Sequence, residues 1–145
     1  MYKNILIPTD GSELSSMAAS HAVELAKQFG AKLVVLTVTS PWAAIAIGEI
    51  AVALPEAEYD TRANKNAEAF LKVVTEQAEA AGVSYDAVHA RNVNPYEAIV
   101  ETAEQKGCDL IVMGSHGRRG VEGFLLGSET VDVLTHSKVP VLVYR

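Results

Sequence analysis

The chain has 145 residues, enough for one domain with a substantial core, and its 49% hydrophobic and 21% charged residues are an ordinary globular balance. Its formal net charge is −6, without a polybasic tract, so the electrostatic footprint of a nucleic-acid partner is missing and no such partner is expected. Its single cysteine, Cys108, excludes an internal disulfide and a cysteine-based zinc site.

The chain opens on "MYKNILIPTDGS", which lacks the apolar core and cleavage site of a secretory signal. Within it, "NILIPTD" is a continuous apolar run of the kind that suits a strand buried on both faces of a parallel sheet. Residues 12–30 follow with Leu14, Met17, Ala18, Ala22, Leu25, Ala26 and Phe29 on one helical stripe, and Gly30 is a natural stop. His21 is one helical step from Met17 and Leu25, which predicts a partly buried packing role. "KLVVLTVT" is the second buried strand.

Residues 40–59 read as one long irregular segment, a lid or a subunit contact, with Trp42 as a candidate anchor. The weakly polar run inside it carries Glu49 and is too short to span a bilayer, so no membrane insertion is expected. A second helix is marked by Ala63, Ala67, Phe70, Leu71, Val74, Ala78 and Ala81, and Gly82 stops it. "VSYDAVHA" alternates weakly and reads as an edge strand. Asn94-Pro95-Tyr96-Glu97 then spells a helix start: an N-cap, proline at the first helical position and a glutamate placed for a capping box. "DLIVMG" and "VPVLVY" are two more buried strands, separated by a glycine-rich stretch and a short helix from about Ser128 to Ser137. Strict alternation of strands and helices implies one α/β domain over residues 1–145, with a parallel sheet covered on both faces.

The chemistry gathers at two strand ends. Ligands of open α/β sheets sit outside the carboxyl ends of the strands, where strand order reverses. The first strand ends in Pro8-Thr9-Asp10-Gly11. The fourth ends in Met113-Gly114 and enters "VMGSHGRRGVEGFLLGSETV", which holds Gly114, Gly117, Gly120, Gly123 and Gly127. Glycine permits positive φ and lets backbone N–H groups approach a bulky anion. The helix near Ser128 adds unsatisfied N–H groups and a positive dipole end. Ser128 can cap that helix or donate to a phosphate. Arg118 and Arg119 can supply charge at the rim. His116 is read either as a phosphate donor or general base, or as a solvated loop residue. Asp10 is read either as a turn residue or as a ligand contact. A P-loop is excluded because the chain has no Gly-Lys pair, and the glycine spacing is not that of a dinucleotide fingerprint.

"ILIPTDGS", "VVLTV", "DLIVMGSHGRRGVEGFLLGS" and "VPVLVYR" together resemble the universal stress protein family over nearly the whole chain. The spacing Gly114-x2-Gly117-x9-Gly127-Ser128 resembles the signature of its ATP-binding branch. The resemblance implies a five-stranded parallel sheet in the order 3-2-1-4-5, the Rossmann-like architecture called adenine nucleotide alpha hydrolase-like. It implies that Asp10 contacts a ribose, that Pro8 and Thr9 line a base pocket, that Val38 meets adenine through its main chain, and that Met113 packs beside the nucleoside. Gly117, Gly127, Ser128, Glu129 and Thr130 would hold phosphates. The implied ligand is ATP, with AMP or ADP as alternatives and Mg²⁺ as a companion ion. The implied assembly is a homodimer, or a higher oligomer, formed by pairing the last strand, from Val139 to Tyr144, with a second copy.

Glu129 complicates this arrangement, because an anion beside a phosphate site repels phosphate unless a divalent metal or the arginines intervene. Turnover is less well supported than binding, since the glycine-rich loop lacks a catalytic lysine and no carboxylate pair is evident. The expected function is a non-enzymatic, nucleotide-dependent stress-response regulator in the cytoplasm. A slow ATPase or phosphotransferase and a ligand-free interaction module are the alternatives.

Overall fold

The computed structural model describes residues 1–48, 53–117 and 126–145. In chain order the elements are β1 (Asn4–Pro8), α1 (Glu13–Phe29), β2 (Lys32–Thr39), α2 (Trp42–Ile45), α3 (Glu56–Ala81), β3 (Tyr85–Arg91), α4 (Pro95–Gln105), β4 (Leu110–Gly114), α5 (Ser128–His136) and β5 (Val141–Tyr144). The strands form one sheet in the order β3-β2-β1-β4-β5, and every pairing is parallel. Strand β1 is therefore central, between β2 and β4, as the strand-end argument requires.

The apolar runs explain why the sheet is covered on both faces. Side chains alternate along a strand, so a continuous apolar run feeds two cores. On one face Ile5, Ile7, Leu33 and Val35 pack with Ala18, Ala22 and Ala26 of α1 and with Val74 and Ala78 of α3. On the other, Leu6, Val34, Leu36, Ile111 and Met113 pack with Ile99 and Ala103 of α4 and with Val133 of α5. The alanines of α1 let its backbone lie close to the sheet.

Helix ends follow their local chemistry at α1. Ser12 is the N-cap and its Oγ accepts the Ser15 N–H at 3.2 Å. Gly30 and Gly82, at φ of 65° and 70°, close α1 and α3 in the left-handed region that favours glycine.

Several local expectations are corrected. "VPVLVY" is not a buried strand: β5 is the last strand of the sheet, and its residues are only half-buried because it has a neighbour on one side alone. Met17 and Phe29, on the expected apolar stripe of α1, are exposed, since the small alanines of that stripe take the place against the sheet. The segment 40–59 is not one irregular loop: it contains α2, and α3 already begins at Glu56. The opening turns of α3 have no buried position before Ala63, so they carry no apolar stripe to read. Trp42 is tied within the segment, its Nε1–H donating to Leu54 O at 2.9 Å. Asn94 holds the N-cap position of α4, but no capping box forms. Its side chain makes no cap hydrogen bond; its Nδ2 instead donates to Glu97 Oε1 at 3.1 Å. His21 is exposed rather than partly buried, although its ring stands 5.7 Å from that of Tyr144. Among the described residues, no helix is long and apolar enough to cross a membrane.

Candidate functional site

The turn after β1 is built by its own side chains. Gly11 has a φ of 76°, which folds the chain back toward α1. Asp10 Oδ1 accepts the Ser12 N–H at 2.9 Å, and Thr9 Oγ1 accepts the Gly11 N–H at 3.3 Å. Thr9 is buried, with its N–H donating to Leu36 O at 2.8 Å and its carbonyl accepting the hydroxyl of Thr37. These bonds fix the end of β1 against β2. The other oxygen of Asp10, Oδ2, faces Gly117. Asp10 is thus a turn residue and a wall of the strand-end crevice at once.

Gly114, Gly117 and Gly127 serve close approach rather than positive φ. None of Gly114, Gly117 and Gly127 has a positive φ. A Cβ at Gly114 would stand 3.1 Å from Leu14 Cγ, so this glycine makes room for α1 rather than a special turn off the strand. A Cβ at Gly127 would stand 3.1 Å from His116 Cα, and the Gly127 N–H donates to Ser115 O at 2.7 Å. Thr130 Oγ1 donates to Gly114 O at 3.0 Å and to Ser115 O at 3.2 Å. The two stems of the loop are stitched together in this way. Gly117 is the most constrained: a Cβ there would lie 2.5 Å from Asp10 Oδ2.

These strand ends enclose a cavity of about 170 Å³. Pro8, Val38, Met113 and Gly114 line it from the strands, Thr9 and Asp10 from the turn after β1, His116 and Gly117 from the β4–α5 connection, and Glu129 and Thr130 from the first turn of α5. Sequence reasoning missed four further wall residues: Ser15, Leu36, Pro95 and Ile99. Gly127 and Ser128 stand outside the wall, at the start of α5, where Gly127 is the N-cap and Ser128 the first helical residue. Ser128 is therefore not the cap. Arg118, with Arg119, Gly120 and Gly123, lies outside the described residues. The volume is below the roughly 300–1,000 Å³ of pockets that enclose a whole drug-sized ligand. A second cavity of about 500 Å³ opens beyond Asp10 and Val38, between the end of β2 and α3, with Arg62, Asn66 and Tyr59 in its wall.

The charged groups in the first wall are unequal. His116 Nδ1 lies 3.3 Å from Ser115 Oγ. Glu129 leaves its own helix and reaches α4, where its Oε2 accepts the Tyr96 N–H at 2.8 Å. Burial pushes the Glu129 carboxyl above the usual carboxylate range, with Asp132 adding to the shift and the Tyr96 N–H opposing it. Among the described residues, no group of three or more histidine, cysteine or acidic side chains is placed to hold a metal ion.

Comparison with known proteins decides the family. The model of the universal stress protein family matches residues 1–145. The chain belongs to the universal stress protein family. Universal stress protein MJ0531 of Methanocaldococcus jannaschii is 40% identical over 147 aligned positions, covering 100% of this chain and 83% of the relative. Universal stress protein MJ0577 of the same organism is 32% identical, covering 100% of this chain and 96% of the relative. The solved structure of MJ0577 superposes with a TM-score of 0.84 at 31% identity, over 99% of this chain and 96% of that one. A universal stress protein crystallised in complex with cAMP superposes with a TM-score of 0.74 at 28% identity, over 99% of this chain and 97% of that one. The fold is accordingly the adenine nucleotide alpha hydrolase-like one.

Within this universal stress protein the wall residues divide by chemistry. Pro8, Val38, Ile99 and Met113 form the apolar part of the wall, with the fully buried Leu36 behind them. Asp10 and Glu129 are its carboxylates. The first turn of α5 offers main-chain donors, because the first N–H groups of a helix have no partner within it. Of the missed residues, Ile99 carries a legible signal, since it lies on the inward stripe of α4. The others are exposed to the cavity only because of how the sheet opens.

Proposed function

We propose that this universal stress protein is a single domain that binds an adenine nucleotide, ATP in the first place, and acts in the cytoplasm as a non-enzymatic, nucleotide-responsive homodimer. The observation that carries the proposal is the cavity wall. It sets apolar surface from Pro8, Val38, Ile99 and Met113 beside the Asp10 carboxylate, next to the N-terminus of α5. Adenine occupies the apolar part, with the main chain of Val38 along its edge and Thr9 behind it. Asp10 accepts from the ribose hydroxyls. The phosphates lie toward Gly114, Gly117 and the first turn of α5, where Gly127, Ser128 and Thr130 supply backbone and hydroxyl donors. Arg118 adds charge at the rim, and Mg²⁺ accompanies the triphosphate. The complex of a similar protein with cAMP supports an adenine nucleotide as the ligand class.

Binding rather than turnover fits the wall better. Phosphoryl transfer requires charge neutralisation around the transferring group, and the described wall contributes two carboxylates and one imidazole. Thermal denaturation with and without nucleotide tests the reading. A ligand at about 100 times its dissociation constant stabilises by roughly 2.7 kcal/mol, a rise of several degrees in Tm. No rise with ATP, ADP, AMP or cAMP, with Mg²⁺ present, would refute nucleotide binding. Steady phosphate release that disappears in His116→Ala would instead establish turnover.

A further inference from the structure

Glu129 is pinned in the cavity wall by a neighbouring helix. It is the second residue of α5, directly after Gly127-Ser128. Its carboxylate crosses to the N-terminus of α4, which its own cap leaves open. Pro95, the first residue of α4, has no N–H, and the Asn94 side chain is turned to Glu97. The next donor, the Tyr96 N–H, is taken by Glu129 Oε2 at 2.8 Å. Swinging away would give up this part-buried hydrogen bond, which favours the carboxylate's place in the wall. Asp10 is a second carboxylate in the same wall, and Asp132 lies about one turn further along α5. A polyphosphate brought to the start of α5 therefore meets a held anion.

We infer that Glu129 makes polyphosphate binding conditional on a divalent cation, admitting the metal complex of a nucleoside di- or triphosphate and disfavouring the free polyphosphate. The inference rests on the nucleotide reading above. A hard cation such as Mg²⁺ takes oxygen ligands and is commonly held by one or two carboxylates together with substrate phosphates. One pinned carboxylate beside a phosphate position meets that description only once the nucleotide is present. Glu129 is in this sense a specificity-determining residue. It does not distinguish bases; it distinguishes how much uncompensated negative charge a ligand carries.

Calorimetric titration of the full chain with adenosine, AMP and ATP, each in EDTA and in Mg²⁺, tests this. Glu129→Gln keeps an oxygen acceptor for the Tyr96 N–H and removes the charge. The wild-type protein is expected to bind ATP about tenfold more tightly with Mg²⁺ than in EDTA, as opposed unit charges at close range allow. Glu129→Gln is expected to improve ATP binding in EDTA by about tenfold, equal to about 1.4 kcal/mol, and to lose most of the Mg²⁺ gain. Adenosine affinity is expected to be the same in both proteins. Adenosine binding by Glu129→Gln at wild-type affinity reports that the variant is folded and its site intact. If adenosine binds but the charge-removing variant shows wild-type ATP affinity in EDTA and the wild-type Mg²⁺ gain, the role of Glu129 is overturned while nucleotide binding stands. If neither protein binds adenosine, AMP or ATP under any condition, the nucleotide reading fails and the inference with it.

Discussion

His89 sits on edge strand β3 with its Nε2 2.7 Å from Thr39 Oγ1. Burial, and then the nearby Arg91 charge, lower its pKa below the usual 6.5, against a smaller opposing pull from Glu68. The folded protein thus binds its proton less readily than the unfolded chain. Stability from this group is full above the unfolded pKa of 6.5 and is lost as pH falls through the lower folded value. Removing the imidazole should flatten that loss. Melting temperatures of the wild type and of His89→Gln, recorded from about pH 7 to 5, are expected to converge as the pH drops. Parallel curves would show that His89 does not titrate against the fold. Cys108 shows the opposite kind of burial effect: its thiol is pushed up to about 11, mainly by desolvation, which leaves it a neutral packing group.

The two described stems of the β4–α5 connection are held together by three contacts. The Gly127 N–H binds Ser115 O, Thr130 binds the carbonyls of Gly114 and Ser115, and Gly117 rests against Asp10. The last contact couples the loop to the turn after β1. Valine at Gly117 brings no positive-φ strain, but its Cβ would lie 2.5 Å from Asp10 Oδ2. Asp10 would have to turn, giving up the Ser12 N–H. Gly117→Val is therefore expected to weaken nucleotide binding by an order of magnitude or more while costing no more than about 1 kcal/mol in urea unfolding. Unchanged affinity in that variant would remove Asp10 and Gly117 from the proposed site. Helices α4 and α5 are coupled in a similar way, through Glu129 and the Tyr96 N–H.

For the whole molecule, the open question of chemistry is what covers β5. It pairs with β4 on one side, where Ile111 N–H donates to Pro140 O and Ser115 N–H to Tyr144 O. In a parallel ladder alternate residues address one neighbour, so the backbone groups of Val141 and Val143 face away from β4. An edge of this composition is a template for a second strand. The proposed homodimer uses it, and Val143→Pro removes one outward N–H without touching the cavity wall. Sedimentation of this variant is expected to show a monomer where the wild type sediments as a dimer, with nucleotide affinity retained. A dimer that survives the substitution would place the interface elsewhere.

The sequence by itself determined the strands and most of the helix faces, because those follow from local patterns, whereas the sheet order was implied by the family resemblance. An uninterrupted apolar run suits burial on both faces and a stripe of period 3.6 suits a core, although β5, at the sheet edge, is only half-buried. Gly30 and Gly82 were legible as helix stops for the same local reason. Asp10 and the glycine-rich loop were legible as facing each other once β1 and β4 were neighbours. Tertiary structure alone decided the rest. The start of α3 at Glu56 was hidden because its first turns bury nothing. Ser15, Leu36 and Pro95 became wall residues only through the way α1, β2 and α4 meet at one end of the sheet. The glycines proved to answer to Leu14, Asp10 and His116, neighbours that no φ preference announces. Glu129 changed most. Its partner is a main-chain N–H 33 positions earlier, and a backbone donor leaves no mark in side-chain sequence, so only the packed helices show where the carboxylate is held.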